Sequence, residues 1–455
     1  MRAIRALTNI IVIIIVVILG AAEPTLPAGA VLAQEPMHPA GHTQASPQHE
    51  MLRVTLGRGW SLTGMAQVFP VVTAGAPFAD EGDPLRRTGW YLTQAALMAN
   101  LAAPAQRLVL RTTLNLEGVT QPEGELTFGG WGEGFLDKRH PHTLLHELML
   151  SVNAWELGNS RVSLSAGRGF APYGTDDPMS RPALKYPTNH HLSQVLERWT
   201  LNAVWRTGGW SLEAGLFGGA EPEGPYDLSG LDTFGDSWSA RLARRWGSEP
   251  TGPAWEASTS YARLAEARET GERTTQLVNA ALRRSGPAGP GLLYVLIEGS
   301  RSDPEREDGY FSLLGEARYE VSRHEPHLRV EYATRPEYPR EGPPGTDEFF
   351  RYDHHAEPVG ATRWLVGTAG YGYRLTGYPA SLRPFVEIQH HRVRPERGGV
   401  LPGDVLGSES FWAVSVGVRV FVGGGPMRMG SYGVLDPMTE MSRAMTRGMA
   451  GMGGM

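Results

Sequence analysis

The stretch Phe411–Val422, FWAVSVGVRVFV, decides the reading of the fold. Trp412, Val414, Val416, Val418 and Val420 fall on one face of an extended strand, and Ser415, Gly417 and Arg419 on the other. One apolar face and one small, polar or charged face suit a strand that meets lipid on one side and water on the other. The alternation recurs along the chain. Leu108, Leu110, Leu114 and Leu116 alternate with Arg107, Arg111, Thr113 and Asn115. Val195, Trp199, Leu201, Ala203 and Trp205 alternate with Gln194, Arg198, Thr200 and Asn202. Trp210, Leu212, Ala214 and Leu216 are set against Ser211, Glu213 and Gly215.

Extending the pattern predicts sixteen strands, near residues 52–71, 88–101, 106–117, 144–157, 160–168, 192–206, 209–218, 236–246, 254–265, 273–285, 291–300, 309–322, 326–334, 358–373, 379–391 and 409–422. The connections between them supply an independent test. Gaps after even-numbered strands are short, among them Gly158-Asn159 and Thr207-Gly208. The long gaps, 118–143, 169–191, 219–235, 335–357 and 392–408, all follow odd-numbered strands. Short periplasmic turns alternating with long external loops are the mark of an outer-membrane barrel, and a soluble sandwich has no reason to keep that parity. The expected fold is all-β: a transmembrane antiparallel up-and-down β-barrel of about sixteen strands, with both termini periplasmic. Most tryptophans fall within predicted strands, as an aromatic girdle requires.

Composition is consistent with this. The chain of 455 residues has 57 Gly and 34 Pro, enough for many short strands joined by turns. A net charge of −6 carries no polybasic footprint, which argues against a nucleic-acid partner. Zero cysteine removes disulfides, thiolate catalysis and cysteine metal sites. At the N-terminus, Arg2 and Arg5 precede an apolar run, Ile10–Leu19, and then small residues. That is the layout of a signal peptide, residues 1–33, with cleavage expected near Ala22 or Ala33. The run is about half the roughly twenty residues a membrane helix needs. Residues 34–51 read as a disordered His/Met-containing segment, 52–422 as the barrel, and 423–455 as a Met/Gly-rich periplasmic tail.

The alternating strands, the loop parity and a terminal strand ending near Phe421 resemble the porin-like family of sixteen-stranded outer-membrane barrels. The resemblance covers roughly residues 52–422 and is architectural, without a diagnostic motif. It departs from the usual pattern where the chain runs more than thirty residues past the last strand. It implies an outer-membrane location in a Gram-negative-type bacterium. It also implies a monomer or homotrimer in lipid, with a lumen that passes small polar solutes or ions. A non-conducting barrel with a structural or surface-binding role is the alternative.

With the apolar faces toward lipid, the opposite faces place Arg107, Arg111, Arg161, Arg198, Glu213, Arg241, Arg329, Glu331, Arg383, Glu387 and Arg419 along the lumen. Unpaired charges are costly in a dry core and cheap around water, so this mixture predicts a wet pore. The third long loop, GFAPYGTDDPMSRPALKYPTNHH from Gly169 to His191, is the candidate constriction loop. Its Asp176 and Asp177 are expected to face wall arginines, with a transverse field between them.

Candidate metal ligands cluster by the parity argument. His140, His142, His146, His190, His191, His354, His355, His390 and His391 share the external side, where imidazoles could hold copper or another divalent metal. In the tail, Met438, Met441, Met445 and Met449 recur at helical spacing, and thioethers select Cu(I) or Ag(I). In composition alone, these His/Met-rich appendages resemble copper-resistance outer-membrane proteins. An enzymatic reading begins from His142-Thr-Leu-Leu-His146-Glu147, two histidines that on a helix would share a face for zinc. The order is not HExxH, and neither GxSxG nor a phosphate-cradling loop is present. A zinc hydrolase is the least favoured reading, and the expectation is a protein that is not an enzyme.

Overall fold

The computed structural model describes residues 52–440 except 78–86, 122–124, 127–135, 138–142, 176, 189, 223–224, 248–252, 269–270, 306–307, 339–356, 377–378, 400, 402–407 and 424–427. The period-two patterning resolves into sixteen long strands. They are β1 Ser61–Pro77, β2 Arg87–Ala102, β3 Leu108–Asn115, β4 Leu145–Leu157, β5 Ser160–Gly169, β6 Arg198–Thr207, β7 Trp210–Phe217, β8 Ser237–Gly247, β9 Ala254–Arg268, β10 Gly271–Ser285, β11 Gly291–Pro304, β12 Tyr310–Glu320, β13 His324–Glu337, β14 Gly360–Tyr373, β15 Ala380–Arg397 and β16 Ser410–Val422. Each is antiparallel to the next, and β16 pairs back onto β1 from Ala66↔Val422 to Pro77↔Phe411. The ring closes, so no long strand leaves its backbone donors and acceptors unpaired toward lipid.

One predicted element divides. The chain reverses at Leu56–Trp60, where Arg58 takes φ 61°. Residues Leu52–Thr55 then pair antiparallel with the start of β1, from Leu52↔Gly64 to Thr55↔Ser61. The first predicted strand, 52–71, is therefore a hairpin arm plus most of β1. The arm lies where β16 has ended, beside Ser61–Gly64 of β1, which β16 does not reach.

The barrel is polar inside and apolar outside. Leu212 is 45% exposed and Leu242 42%, whereas Glu213 and Arg241, on the opposite faces of the same strands, are 3% and 6%. Trp90, Trp205, Trp210, Trp238, Trp246 and Trp412 all point outward. Connections keep the expected parity. One end carries only short links, including Gly158-Asn159, Gly208-Gly209 and residues 321–323. The other carries 116–144, 170–197, 218–236, 338–359 and 398–409. We call these the turn end and the loop end.

Two bulges set what faces inward. The β3–β4 register slips between Thr113↔Glu147 and Leu114↔Leu145, so His146 is the extra residue and both it and Glu147 are buried. The β1–β2 register slips near Gln94, whose φ is 50°. The Gln94 amide N–H there donates to Glu117 Oε1 (2.7 Å), which holds the left-handed backbone in place.

Candidate functional site: a lumen crossed by a loop and a tail

The third loop, residues 170–197, leaves β5 at the loop end and turns into the barrel. Its Gly174 N–H donates to Ser260 Oγ of β9 (2.8 Å), and Gly174 O accepts from Arg241 Nε of β8 (3.0 Å). Gly174 has φ 70°, and a Cβ there would lie 1.7 Å from Ser193 O, so only glycine permits this turn. Farther along, Thr175 and Arg181 both donate to Glu298 of β11, each at 2.8 Å. Leu184 N–H donates to Glu387 of β15 (2.7 Å) while Leu184 O accepts from Gln94 of β2 (2.9 Å). Arg329 Nη1 of β13 donates to Lys185 O (2.6 Å), and Thr188 N–H donates to Glu331 (2.7 Å). Lys185 reaches Tyr91, and Arg419 of β16 donates to Pro182 O. The loop thus touches the wall on β2, β8, β9, β11, β13, β15 and β16 and spans the cross-section.

The tail comes from the turn end. Residues 428–440 fold back into the barrel instead of trailing from it. Arg428 pairs with Glu256 of β9 (3.2 Å), a carboxylate that also meets Arg241, Arg245 and Arg283. Asp436 pairs with Arg111 of β3 (3.0 Å), and Glu440 with Arg206 of β6 and Arg245 of β8. Burial holds the Asp436 carboxyl above the usual carboxylate range despite Arg111. Val434 N–H donates to Ser163 Oγ of β5 (3.0 Å). Gly433, φ 65°, lies so close to the wall that a Cβ would meet Ser163 Oγ at 2.1 Å. Tyr432 Oη donates to Glu147 (2.8 Å) and accepts from Phe170 N–H (3.0 Å). Burial raises the Tyr432 phenol well above its ordinary value and keeps it a donor. Tail and loop share an apolar contact of Met149, Phe170, Met179, Met429 and Tyr432.

These placements revise the wet pore. Arg111, Arg198, Glu213, Arg241, Arg329, Glu331, Arg383 and Glu387 all face inward and are less than a tenth exposed. Their charges are met by one another and by the loop and tail. Arg329 pairs with Glu316 (2.8 Å), Arg383 with Glu325 (3.3 Å), and Arg198 with Glu221 (2.9 Å). Arg419, its side chain 11% exposed, lies beside Glu387 (3.1 Å), and Arg161 shares the inward register near the turn end. Arg107 is not on the lumen face: it is exposed in the turn before β3. Mixed charge on an inner wall is equally well satisfied by a polar plug, which strand patterning cannot distinguish from water.

Asp177 Oδ1 accepts from Met179 N–H (2.7 Å) and Oδ2 lies 3.9 Å from His146 Nε2. Three wall arginines, Arg241, Arg329 and Arg419, reach loop carbonyls, because the loop turns its backbone toward them. Asp176 lies outside the described residues.

The histidine candidates are scattered. His140, His142, His354 and His355 lie outside the described residues. His146 sits in strand β4, not on a helix, with Nδ1 2.6 Å from Glu197. The helical zinc arrangement is therefore not available at His146. His390 and His391 are split by strand alternation. His390 faces outward against Trp412 (4.4 Å between ring centres), and His391 faces inward, stacked on Phe411 (4.7 Å). They cannot share a metal. His190 and His191 do adjoin, with ring centres 4.2 Å apart, and His191 Nδ1 is 3.8 Å from Glu221. Met438 is buried in the docked tail, and Met441, Met445 and Met449 lie outside the described residues.

The tail's docking was not read from the sequence. A signal was present: Tyr432, Val434 and Leu435 form an apolar group in a Gly-rich run, closed by Asp436, whose Oδ1 accepts from Thr439 N–H (2.9 Å).

A closed sixteen-stranded antiparallel barrel with an apolar outer belt, aromatic residues on it and long loops at one end is a porin-like outer-membrane β-barrel. No family model matches the chain, and no curated protein matches it. Solved structures similar to it include OmpT, an outer membrane protein of Vibrio cholerae, at 10% identity over 80% of this chain and 97% of that one (TM-score 0.46). Another is the anion-selective porin from Comamonas acidovorans, at 13% identity over 80% and 99% (TM-score 0.44). A third is Salmonella typhi OmpF in complex with daunomycin, at 10% identity over 81% and 100% (TM-score 0.46).

Proposed function

We propose that this protein is an outer-membrane channel for small polar solutes or ions, held closed at rest by the third loop and the tail. The turn end and both termini face the periplasm. The observation that carries this reading is the joining of loop and tail at Tyr432 and Phe170, inside a wall lined with ionisable groups. Both plugging segments are connections, not strands. Either can leave without breaking a rung of the barrel ladder, and what it leaves behind is a charged, hydratable wall.

The test is single-channel conductance of the refolded full chain in a planar bilayer, beside Gly433→Ala. The added Cβ drives the tail off Ser163, so the variant should conduct in longer or larger openings than the parent. How fully the interior is filled, with Arg329 and Glu387 each 1% exposed, favours a second reading: a non-conducting barrel with a structural or surface-binding role. Two folded, heat-modifiable barrels that never conduct would establish that second reading and end the first.

A further inference from the structure

Six methionines lie among the described residues, and all six converge on one neighbourhood. Met65 of β1 and Met98 of β2 are direct cross-strand partners on the inner wall near the turn end. Met429 and Met438, on either side of the Gly433–Leu435 turn, come to the same place from the tail. These four line a single cavity with Arg111, Thr113 and Glu147. Met149 and Met179 adjoin it through Met429. The cavity is about 20 Å³, room for one water-sized species.

Methionine is a common gap filler, and packing explains any one of these residues. It does not explain their distribution. The barrel fills its other interior gaps with Phe, Val, Leu and Trp, as in the cluster around Phe69, Trp364 and Phe421. Among the described residues, methionine is confined to the wall, loop and tail segments that meet here. We infer that this cavity is a binding site for one soft monovalent cation, Cu(I) or Ag(I), held by thioethers from Met65 and Met98 of the wall and Met429 and Met438 of the tail.

Arg111 and Arg428 also line the cavity; Asp436 lies 3.0 Å from Arg111, Arg428 reaches Glu256, and Glu147 adds a carboxylate to the lining. Thioethers do not titrate, and they offer little to hard divalent ions, which want several oxygen ligands. The tail supplies half of the donors, so the ion binds only the docked tail and stabilises docking by mass action. The site depends on tail docking and not on conductance.

The test is titration of silver nitrate into the refolded full chain in detergent, in chloride-free buffer, followed calorimetrically and by silver X-ray absorption. The parent should show a tight equivalent with a sulfur-only first shell. Met65→Leu with Met98→Leu, which leaves every tail methionine in place, should lose that equivalent while the His/Met segments keep their weaker binding. Leucine replaces methionine at nearly equal volume, so the variant should keep its fold. Should the wall variant fail to fold, Met429→Leu with Met438→Leu leaves the barrel wall intact and should lose the same equivalent. In the parent, silver should also slow proteolysis of the tail. Unchanged tight binding in a folded variant, or a first shell of nitrogen, would overturn the site. Because no bilayer is involved, a barrel that never conducts would leave this result standing.

Discussion

The Tyr432 hydroxyl lies 3.0 Å from the Phe170 amide nitrogen, 262 residues earlier in the chain, and donates its own proton to Glu147. That single phenol ties the tail to the first residue of the third loop, so release of one loosens the other. Tyr432→Phe keeps the ring and removes both bonds, leaving the Phe170 N–H without this partner. An unsatisfied buried polar group costs about 1–3 kcal/mol. Hydrogen exchange at the Phe170 amide should accelerate by about tenfold or more, with the strands of β10 to β14 unaffected. An unchanged rate would mean that loop and tail are held independently.

Tail docking should depend on pH through Asp436. Burial keeps its carboxyl above the usual range, so the docked tail retains a proton that a free tail would give up. The sign follows from linkage. The contribution of Asp436 to docking is complete below the free carboxylate value of about 4, and it is lost as pH rises through the higher docked value. Acidifying from neutral toward about pH 5 should therefore protect the tail from protease. Asp436→Asn keeps the acceptor for Thr439 N–H and cannot ionise, so its protection profile should lose this slope.

Seating of the loop rests on Gly174. Its left-handed φ alone costs a side-chain-bearing residue about 1–3 kcal/mol, before the clash with Ser193 O. Gly174→Ala should unseat the loop from Ser260 and Arg241 and produce noisy, larger conductance. The barrel should remain heat-modifiable, because no ladder bond passes through residue 174. Loss of heat-modifiability would show that the loop is part of the folding core.

Adjacent residues on β16 should answer differently. Val414 faces outward and Ser415 inward, where its Oγ meets Thr73 (2.8 Å). Val414→Arg should cost about 2–4 kcal/mol in refolding into vesicles, the penalty of a cation on the lipid face. Ser415→Ala should cost about 0.5–1.5 kcal/mol, the worth of one hydrogen bond. A smaller cost for Val414→Arg than for Ser415→Ala would mean that this face does not meet lipid.

The alternation of Trp412, Val414 and Val416 with Ser415 and Gly417 was enough to find β16, and the same reasoning found the other fifteen strands, except that residues 192–197, read as the start of β6, belong to the third loop, where Val195 is buried. Where it erred at the first strand, the deciding feature was the reversal at Leu56–Trp60, which period two does not register. Inner-wall residues such as Glu213, Arg241 and Glu387 could be assigned to their face because a strand has only two. Their partners could not. Asp177 looked like a field-setting group and turned out to accept from Met179 N–H within its own turn. His390 and His391 looked like a pair, and strand geometry sends them to opposite sides of the sheet.

By itself the sequence determined the barrel: strand number, parity of connections and, away from bulges and strand ends, the face a residue takes. These follow from local rules, a period of two and the solvent on either side. Only the tertiary structure decided what occupies the lumen. Arg111 meets Asp436 across 325 positions of chain, and Met65 and Met98 share a cavity with Met429 and Met438. Closure of the ring brings such residues together, and no local periodicity encodes which segment will enter the space that closure encloses.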